Sequence, residues 1–166
     1  SRIRSVYRTH QVVGIFTETQ WMTERMFEMK PITNLHDVIA GKSAPPPCDE
    51  TLGVRLAEAR DGYAKGVWTI HESLLNGNGV IMGGFVGAAA DILMAYAVTT
   101  LLRDDQLHAS INLQTTFHRP AAAGEAEVEA RVEKFGKTVA YVTAVVRQNG
   151  KEVASATSSV LIMDKP

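Results

Sequence analysis

The run from Asn76 to Leu102, NGNGVIMGGFVGAAADILMAYAVTTLL, constrains this chain more than any other stretch. It opens on glycines and amides, turns almost wholly apolar, and carries one charge, Asp91, between Ala88-Ala89-Ala90 and Ile92-Leu93-Met94. A run this long and apolar is either a membrane span or the buried central helix of a folded domain. The carboxylate at mid-run, the glycines and the alternating segments on both sides favour the buried helix. A carboxylate in apolar surroundings is costly to ionise unless specific groups partner it, and that cost marks Asp91 as a candidate for chemistry.

The remaining bulk properties narrow the classes. At 166 residues the chain fits one domain with a sizeable core. A net charge of −1 gives no basic footprint for nucleic acid, and Arg2, Arg4 and Arg8 are too few to supply one. Cys48 stands alone, which rules out an intramolecular disulfide and a cysteine-built zinc cluster and points to a reducing, cytoplasmic compartment. The opening residues give no expectation of a basic-then-apolar leader.

Residues 1–47 read as an N-terminal helical extension with a proline-rich linker. Thr19–Met29 reads as helix with Trp21, Met26 and Met29 on its apolar side. Pro31 stops it, Thr33 or Asn34 caps a second short helix through Ile39, and Gly41 ends that helix. Pro45-Pro46-Pro47 reads as a stiff extended linker. Residues 48–166 read as the main domain. From Leu52 a first hairpin turns at Asp61-Gly62 and resumes over Tyr63–Ile70, followed by the Asn76-Gly77-Asn78-Gly79 loop. The central helix is expected from Gly83 or Gly84 to about Leu102. Four strands are expected after it, over Ala109–His118, Ala126–Phe135, Thr138–Arg147 and Glu152–Met163, joined as an antiparallel meander with Asn149-Gly150 as its last turn. One helix with a sheet on it is an α+β arrangement.

Two features carry chemistry. Met82-Gly83-Gly84 sits where a loop becomes a helix, and the first N–H groups of a helix lack internal partners and face a favourable dipole for negative charge. Glycine lets a ligand oxygen approach such N–H groups closely, so the step can hold a carbonyl oxygen as charge develops on it, with Asn76 offering an amide for the same task. The same glycines also serve tight packing, and Asn76 also serves a turn. Asp91 lies seven residues beyond Gly84, nearly two turns, on roughly the same face. It suits a general base on water or a nucleophile, and equally a buried carboxylate tied to hydroxyl or backbone groups. His71-Glu72 is a weak acid–base candidate, because adjacent strand residues point to opposite faces. His10, His36, His108 and His118 have no ligand-like spacing, and no metal is expected. There is no phosphate-binding glycine loop and no serine elbow.

The run NGNGVIMGGFVGAAADILMAYAV resembles the signature of hotdog-fold acyl-CoA thioesterases of the phenylacetate-degradation (PaaI-like) type. Asn76, Gly83, Gly84 and Asp91 fall in register with it. SINLQTTFHRPA, FGKTVAYVTAVV and NGKEVASATSSVLI resemble later strands of the same family, and the likeness covers roughly Pro45 to Met163. It implies a hotdog fold, an antiparallel sheet wrapped around one long central helix, acting as a homodimer or dimer of dimers with sites at the subunit interface. It implies hydrolysis of an acyl-CoA thioester, with coenzyme A entering as part of the substrate and no other cofactor. Gly83 N–H, helped by Asn76, would polarise the carbonyl. Asp91 of the second subunit would direct or generate the attacking water, and Ser110 would hydrogen-bond near it. Gly84 and Met82 would line the substrate, and Arg119 and Lys137 would meet the nucleotide end of coenzyme A. Met82 departs from the family, which has His there; a methionine cannot donate a hydrogen bond, though its thioether suits an apolar acyl pocket. A non-catalytic acyl-CoA-binding hotdog protein is the competing expectation, followed by a hotdog hydratase or dehydratase using His71.

Overall fold

The computed structural model describes residues 34–165, and the helix expected over Thr19–Met29 lies outside them. Two short helices come first, α1 (Leu35–Ile39) and α2 (Pro47–Leu52). Asn34 caps α1 by accepting the His36 N–H at 3.0 Å, and Gly41 beyond its end takes φ +69°. Pro47 is the first residue of α2 rather than the last of a linker. That position suits proline, since its fixed φ is helical and the N–H it lacks would have no partner there.

The hairpin β1 (Val54–Arg60) and β2 (Tyr63–Ile70) forms as expected around Asp61-Gly62. A single 3₁₀ turn (Glu72–Leu74) and the Asn76–Gly79 loop then lead into α3 (Gly83–Thr99). Five strands follow: β3 (Gln106–Ser110), β4 (Gln114–Phe117), β5 (Gly124–Phe135), β6 (Val139–Gln148) and β7 (Lys151–Asp164). Thus α3 ends before Leu102. Thr100 closes it with its own backbone N–H, and the Thr100 hydroxyl accepts the Gly62 N–H at 2.7 Å, tying the helix end to the hairpin turn.

All strand pairs are antiparallel and run in the order β1-β2-β5-β6-β7-β3, with β4 also on β7. The expected four-strand meander is therefore wrong at its first member. The segment after α3 crosses to the far edge beside β7, and β5 pairs with β2 instead. Alternation shows which residues a strand buries but not which neighbour it takes. The Ala109–His118 strand is also two pieces. Ser110 pairs with Val160 and Gln114 with Thr157, four steps against three, so one extra residue sits in the edge strand. Such a bulge reverses the in–out alternation beyond it. Ser110 before the bulge and Leu113, Thr115 and Phe117 after it consequently all face α3.

The α+β architecture expected from the resemblance, a sheet curled around one helix, is the one observed. The helix is apolar nearly all round and is buried accordingly: Val86, Ala89, Ala90, Leu93, Met94, Ala97 and Val98 are at most 3% exposed. The sheet's inner face offers Ala64, Trp68, Val128, Val142 and Val146. Gly66 admits the closest approach, since a Cβ there would lie 3.1 Å from the Leu93 side chain. Truncating Leu93 to alanine in such packing costs about 2–5 kcal/mol. One stripe of α3 escapes full burial: Gly84, Ala88, Asp91, Ala95 and Thr99. The functional candidates lie along it.

Candidate functional site

At the amino end of α3, Met82 holds the N-cap position in extended conformation (φ −70°, ψ 132°) and supplies no side-chain acceptor. Its carbonyl accepts the Phe85 N–H at 3.0 Å, which leaves the N–H groups of Gly83 and Gly84 without partners among the described residues. The Met82 side chain is 49% exposed, and its methyl group lies 3.5 Å from where a Gly84 Cβ would be. The Phe117 ring lies over Gly83, so close that a Cβ on Gly83 would come within 2.6 Å of it. Asn76 sets the preceding loop. Its side-chain oxygen accepts the Asn78 N–H at 2.8 Å, and its backbone N–H donates to Val80 at 2.8 Å. The carboxamide nitrogen stays free of partners among the described residues.

A cleft of about 420 Å³ opens beside this step, between Ile81, Gly83 and Val86 on one side and Phe117–Ala121 and Val153 on the other. Arg119 lines it and donates to the Glu152 carbonyl at 2.7 Å, while the Glu152 carboxylate lies 3.5 Å from His118. Its guanidinium is therefore not matched by a carboxylate among the described residues. His118, Ser155 and Glu152 superficially suggest a hydrolytic triad. Both contacts, 2.9 Å to Ser155 Oγ and 3.5 Å to Glu152 Oε1, fall on the same ring nitrogen, Nε2. A triad needs one nitrogen for the nucleophile and the other for the acid, so the geometry is wrong for that chemistry.

Asp91 is the second centre. It is half-buried, and Ser110 Oγ donates to its Oδ1 at 3.1 Å. Ser110 stands opposite buried Val160 on β7, so the β3–β7 register turns it inward, and the bulge beyond it brings Thr115 and Phe117 to the same side. Next along the same face come Ala95 and Thr99, and Thr99 Oγ1 lies 3.3 Å from His108 Nε2. Burial pushes the His108 imidazole below its ordinary range, and the Asp91 charge pulls it back up. The ring is thus neutral near pH 7. The sequence pattern overlooked His108, although its spacing of two from Ser110 puts both on one face of a strand.

The structure sorts the expected residues into two groups rather than one. Asn76, Met82, Gly83, Gly84 and Arg119 gather at the helix start, Asp91 and Ser110 further along. Gly83 and Asp91 are eight residues apart on one helix, about 12 Å along its axis. Lys137 is not with Arg119 at all. Arg119 N–H bonds to Val153 and the neighbouring Thr138 carbonyl to Ile162, nine residues away on β7, about 30 Å for an extended strand. His71 leads into the 3₁₀ turn and rests against Gly53, on the β1–β2 side of the sheet, away from both groups.

A further carboxylate was not singled out by the sequence. Asp49 in α2 is 1% exposed; Tyr96 of α3 donates to its Oδ2 at 2.5 Å and Cys48 Sγ lies 3.4 Å from Oδ1. Burial raises the Asp49 carboxyl above its usual range, against the lowering effect of the Tyr96 hydrogen bond. Burial and the Asp49 contact raise the Tyr96 hydroxyl in turn. No buried side-chain nitrogen or oxygen among the described residues lacks a partner.

Comparison with known proteins gives one consistent answer. Residues 78–155 match the family model described as the thioesterase superfamily. A protein of Archaeoglobus fulgidus whose name proposes esterase activity is 31% identical over 113 residues, 67% of this chain and 71% of that one. Among solved structures, a phenylacetic acid degradation-related protein of Ralstonia eutropha, named as a proposed thioesterase, matches with a TM-score of 0.71 and 33% identity, covering 75% of this chain and 96% of that one. A point mutant of the phenylacetic acid degradation protein PaaI of Thermus thermophilus matches with a TM-score of 0.65 and 27% identity, covering 69% and 97%. With its sheet curled around α3, and with PaaI-type proteins among its structural neighbours, the chain belongs to the thioesterase superfamily in its hotdog form.

Proposed function

We propose that the protein hydrolyses an acyl-CoA thioester to the free acid and coenzyme A, at sites shared between two subunits. The observation that carries this reading is the division of the helix. Unpaired N–H groups at Gly83 and Gly84 suit a developing oxyanion, and Asp91 with its Ser110 partner suits a general base, but about 12 Å of helix separates them within one chain. A twofold axis that runs the two helices antiparallel brings the start of one to the middle of the other. The exposed apolar side chains Ile111 (57%), Leu113 (42%) and Phe117 (57%) on the edge strand supply a surface for such pairing.

In the proposed reaction the thioester carbonyl oxygen receives the Gly83 N–H, with the Asn76 carboxamide as second donor. Asp91 of the second subunit takes a proton from water, the water oxygen bonds to the carbonyl carbon, and collapse of the tetrahedral species breaks the C–S bond. The thiolate leaves, and the proton held by Asp91 is available to it. Asp91 acting instead as a nucleophile would pass through a mixed anhydride that water then cleaves. The reading assigns no metal or further cofactor. Arg119 meets a phosphate of the substrate from its own subunit; Lys137, remote from it within one chain, contributes only where another subunit delivers it. A dimer or dimer of dimers in the cytoplasm is the proposed setting; no helix among the described residues is long and apolar enough to cross a membrane.

Mixing inactive D91A and G83A chains tests the shared site. Random reassortment gives half mixed dimers with one intact site in two, so about a quarter of wild-type turnover should return. No recovery after verified exchange rejects the shared site. Met82, in place of a donor, favours a second reading, binding without hydrolysis. An acyl-CoA panel that binds without releasing thiol supports that alternative.

A further inference from the structure

The edge strand lays its side chains along one line of α3. Phe117 stands over Gly83, Leu113 and Thr115 stand over Gly87, and Ser110 reaches Asp91, at helix positions four residues apart. The two glycines let the strand come close. A Cβ on Gly87 would lie 3.3 Å from Thr115 Oγ1, and one on Gly83 only 2.6 Å from Phe117 Cζ. The two Phe117 Cε atoms would lie 3.1 and 3.2 Å from that same Cβ, so the ring points its far end at the helix. Its backbone is held, because Phe117 pairs with Ala154 on β7 and the next residue, His118, donates its N–H to the Val153 carbonyl at 2.8 Å. The ring yields only by turning about its own side-chain bonds.

The same ring is one wall of the cleft beside the helix start, and the cleft is floored by the buried apolar side chains of Ile81, Val86, Ala121 and Val153. The backbone N–H groups of Ile81, His118 and Arg119 are spent there on the Ala121 and Val153 carbonyls, and Pro120 has none. An amide-bearing thiol arm would lose its hydrogen bonds on such a floor, whereas an acyl chain has none to lose. Arg119 is exposed at the rim, so the arm and its phosphates leave on that side while the acyl group points down.

We infer that Phe117 selects the acyl group: a carbonyl seated on the Gly83 N–H puts the first acyl carbon beside the end of the ring, where an unbranched chain passes and a substituent on that carbon strikes it. This rests on the hydrolytic reading above. A hydrogen-bonded oxygen lies about 2.9 Å from the nitrogen that holds it. The first acyl carbon is two bonds further, within van der Waals reach of a ring that already touches Gly83. One badly placed methyl group against a hydrophobic wall is worth about tenfold in discrimination, the low end for a single added carbon.

Thiol release from hexanoyl-CoA and 2-methylpentanoyl-CoA, or the matched pair at the chain length that wild type turns over fastest, tests the inference on the full-length protein. The two acyl groups contain the same atoms and differ only in branching at that carbon. The ratio of their kcat/KM values, measured on one sample, cancels the fraction of chains paired into active dimers. Wild type should prefer the straight isomer, and F117A should reduce that preference by about tenfold. F117L, with a shorter side chain than the ring, should reduce it by less. I111A, which removes an equally exposed apolar side chain from the same edge, should leave the ratio unchanged. A ratio that F117A does not move overturns the inference, and so does an equal change in I111A. If F117A does not fold, F117L carries the test, and an unmoved ratio there overturns the inference. Wild type that releases thiol from no acyl-CoA of any length overturns the hydrolytic reading and this inference together. Release with a ratio indifferent to residue 117 overturns the role of Phe117 alone.

Discussion

Asp91 on the central helix and Asp49, which reaches that helix from α2, are built in opposite ways. Asp49 is withdrawn from solvent, and both its oxygens are engaged, by the Tyr96 hydroxyl and the Cys48 thiol. Asp91 is half-exposed, has Ser110 as its single hydrogen-bond partner among the described residues, and shares its stripe of the helix with alanine and glycine. A carboxylate with a hydrogen bond on each oxygen in a dry pocket pins one element to another, here α2 to α3. One with spare lone pairs beside solvent is free to handle a proton. Burial alone therefore does not identify the reactive acid; unspent hydrogen-bonding capacity at an accessible surface does.

The sharpest way to break this contrast is to neutralise each acid in turn. D91N should lower turnover by about 10²- to 10⁴-fold, the usual span for losing a general base, with an unchanged thermal midpoint. D49N should leave turnover intact. A reversal in thiol-release assays would mean that the roles are exchanged. Next in size is G83A. The added methyl group meets the exposed Phe117 ring at 2.6 Å, so the ring must swing aside while the fold holds. Turnover should fall by about 10²-fold, comparable to losing an oxyanion donor. F117A placed on top of G83A should recover part of it; no recovery would show that the ring is not what the methyl group disturbs. S110A, which removes the 3.1 Å bond to Asp91, should cost about tenfold in kcat with little change in KM.

The smallest effects concern stability. Y96F strips Asp49 of its main donor and should cost about 1–3 kcal/mol in denaturant unfolding, with turnover per folded molecule unchanged. The pH dependence sharpens the same point. The Asp49 carboxyl is raised in the folded state, so its contribution is fully present below its unfolded pKa and is lost as pH rises through the raised folded value. D49N should accordingly gain on wild type as pH rises, since an amide oxygen still accepts from Tyr96. His108 has the opposite sign. Its ring is lowered on folding, so stability is complete above its ordinary pKa and declines as pH falls through and below it. H108Q should flatten that acid decline, and parallel curves would show that the ring is not desolvated.

Much of this was legible in the residue order. An apolar run with glycines at its head can satisfy its backbone and bury its surface only as a central helix, and alternating segments around it must form the sheet. The Asn76, Gly83, Gly84 and Asp91 spacing identified the family because those positions are linked locally, through one loop and one helix. Other features depend on what lies across space. Alternation could not say that β3 pairs with β7, because every strand here alternates. It also could not show the extra residue that turns Ser110 and Phe117 to the same side.

The chain itself settled the helix, its unpaired amino end and the candidate acid, since each is a matter of neighbours within a few turns. Only the folded arrangement decided which carboxylate is buried. Asp91, amid alanines, leucine and methionine, lies on the open stripe, while Asp49, after three prolines and beside Cys48 and Glu50, is sealed in. Burial is fixed by what packs against a side chain from distant parts of the chain, and sequence neighbours do not determine it.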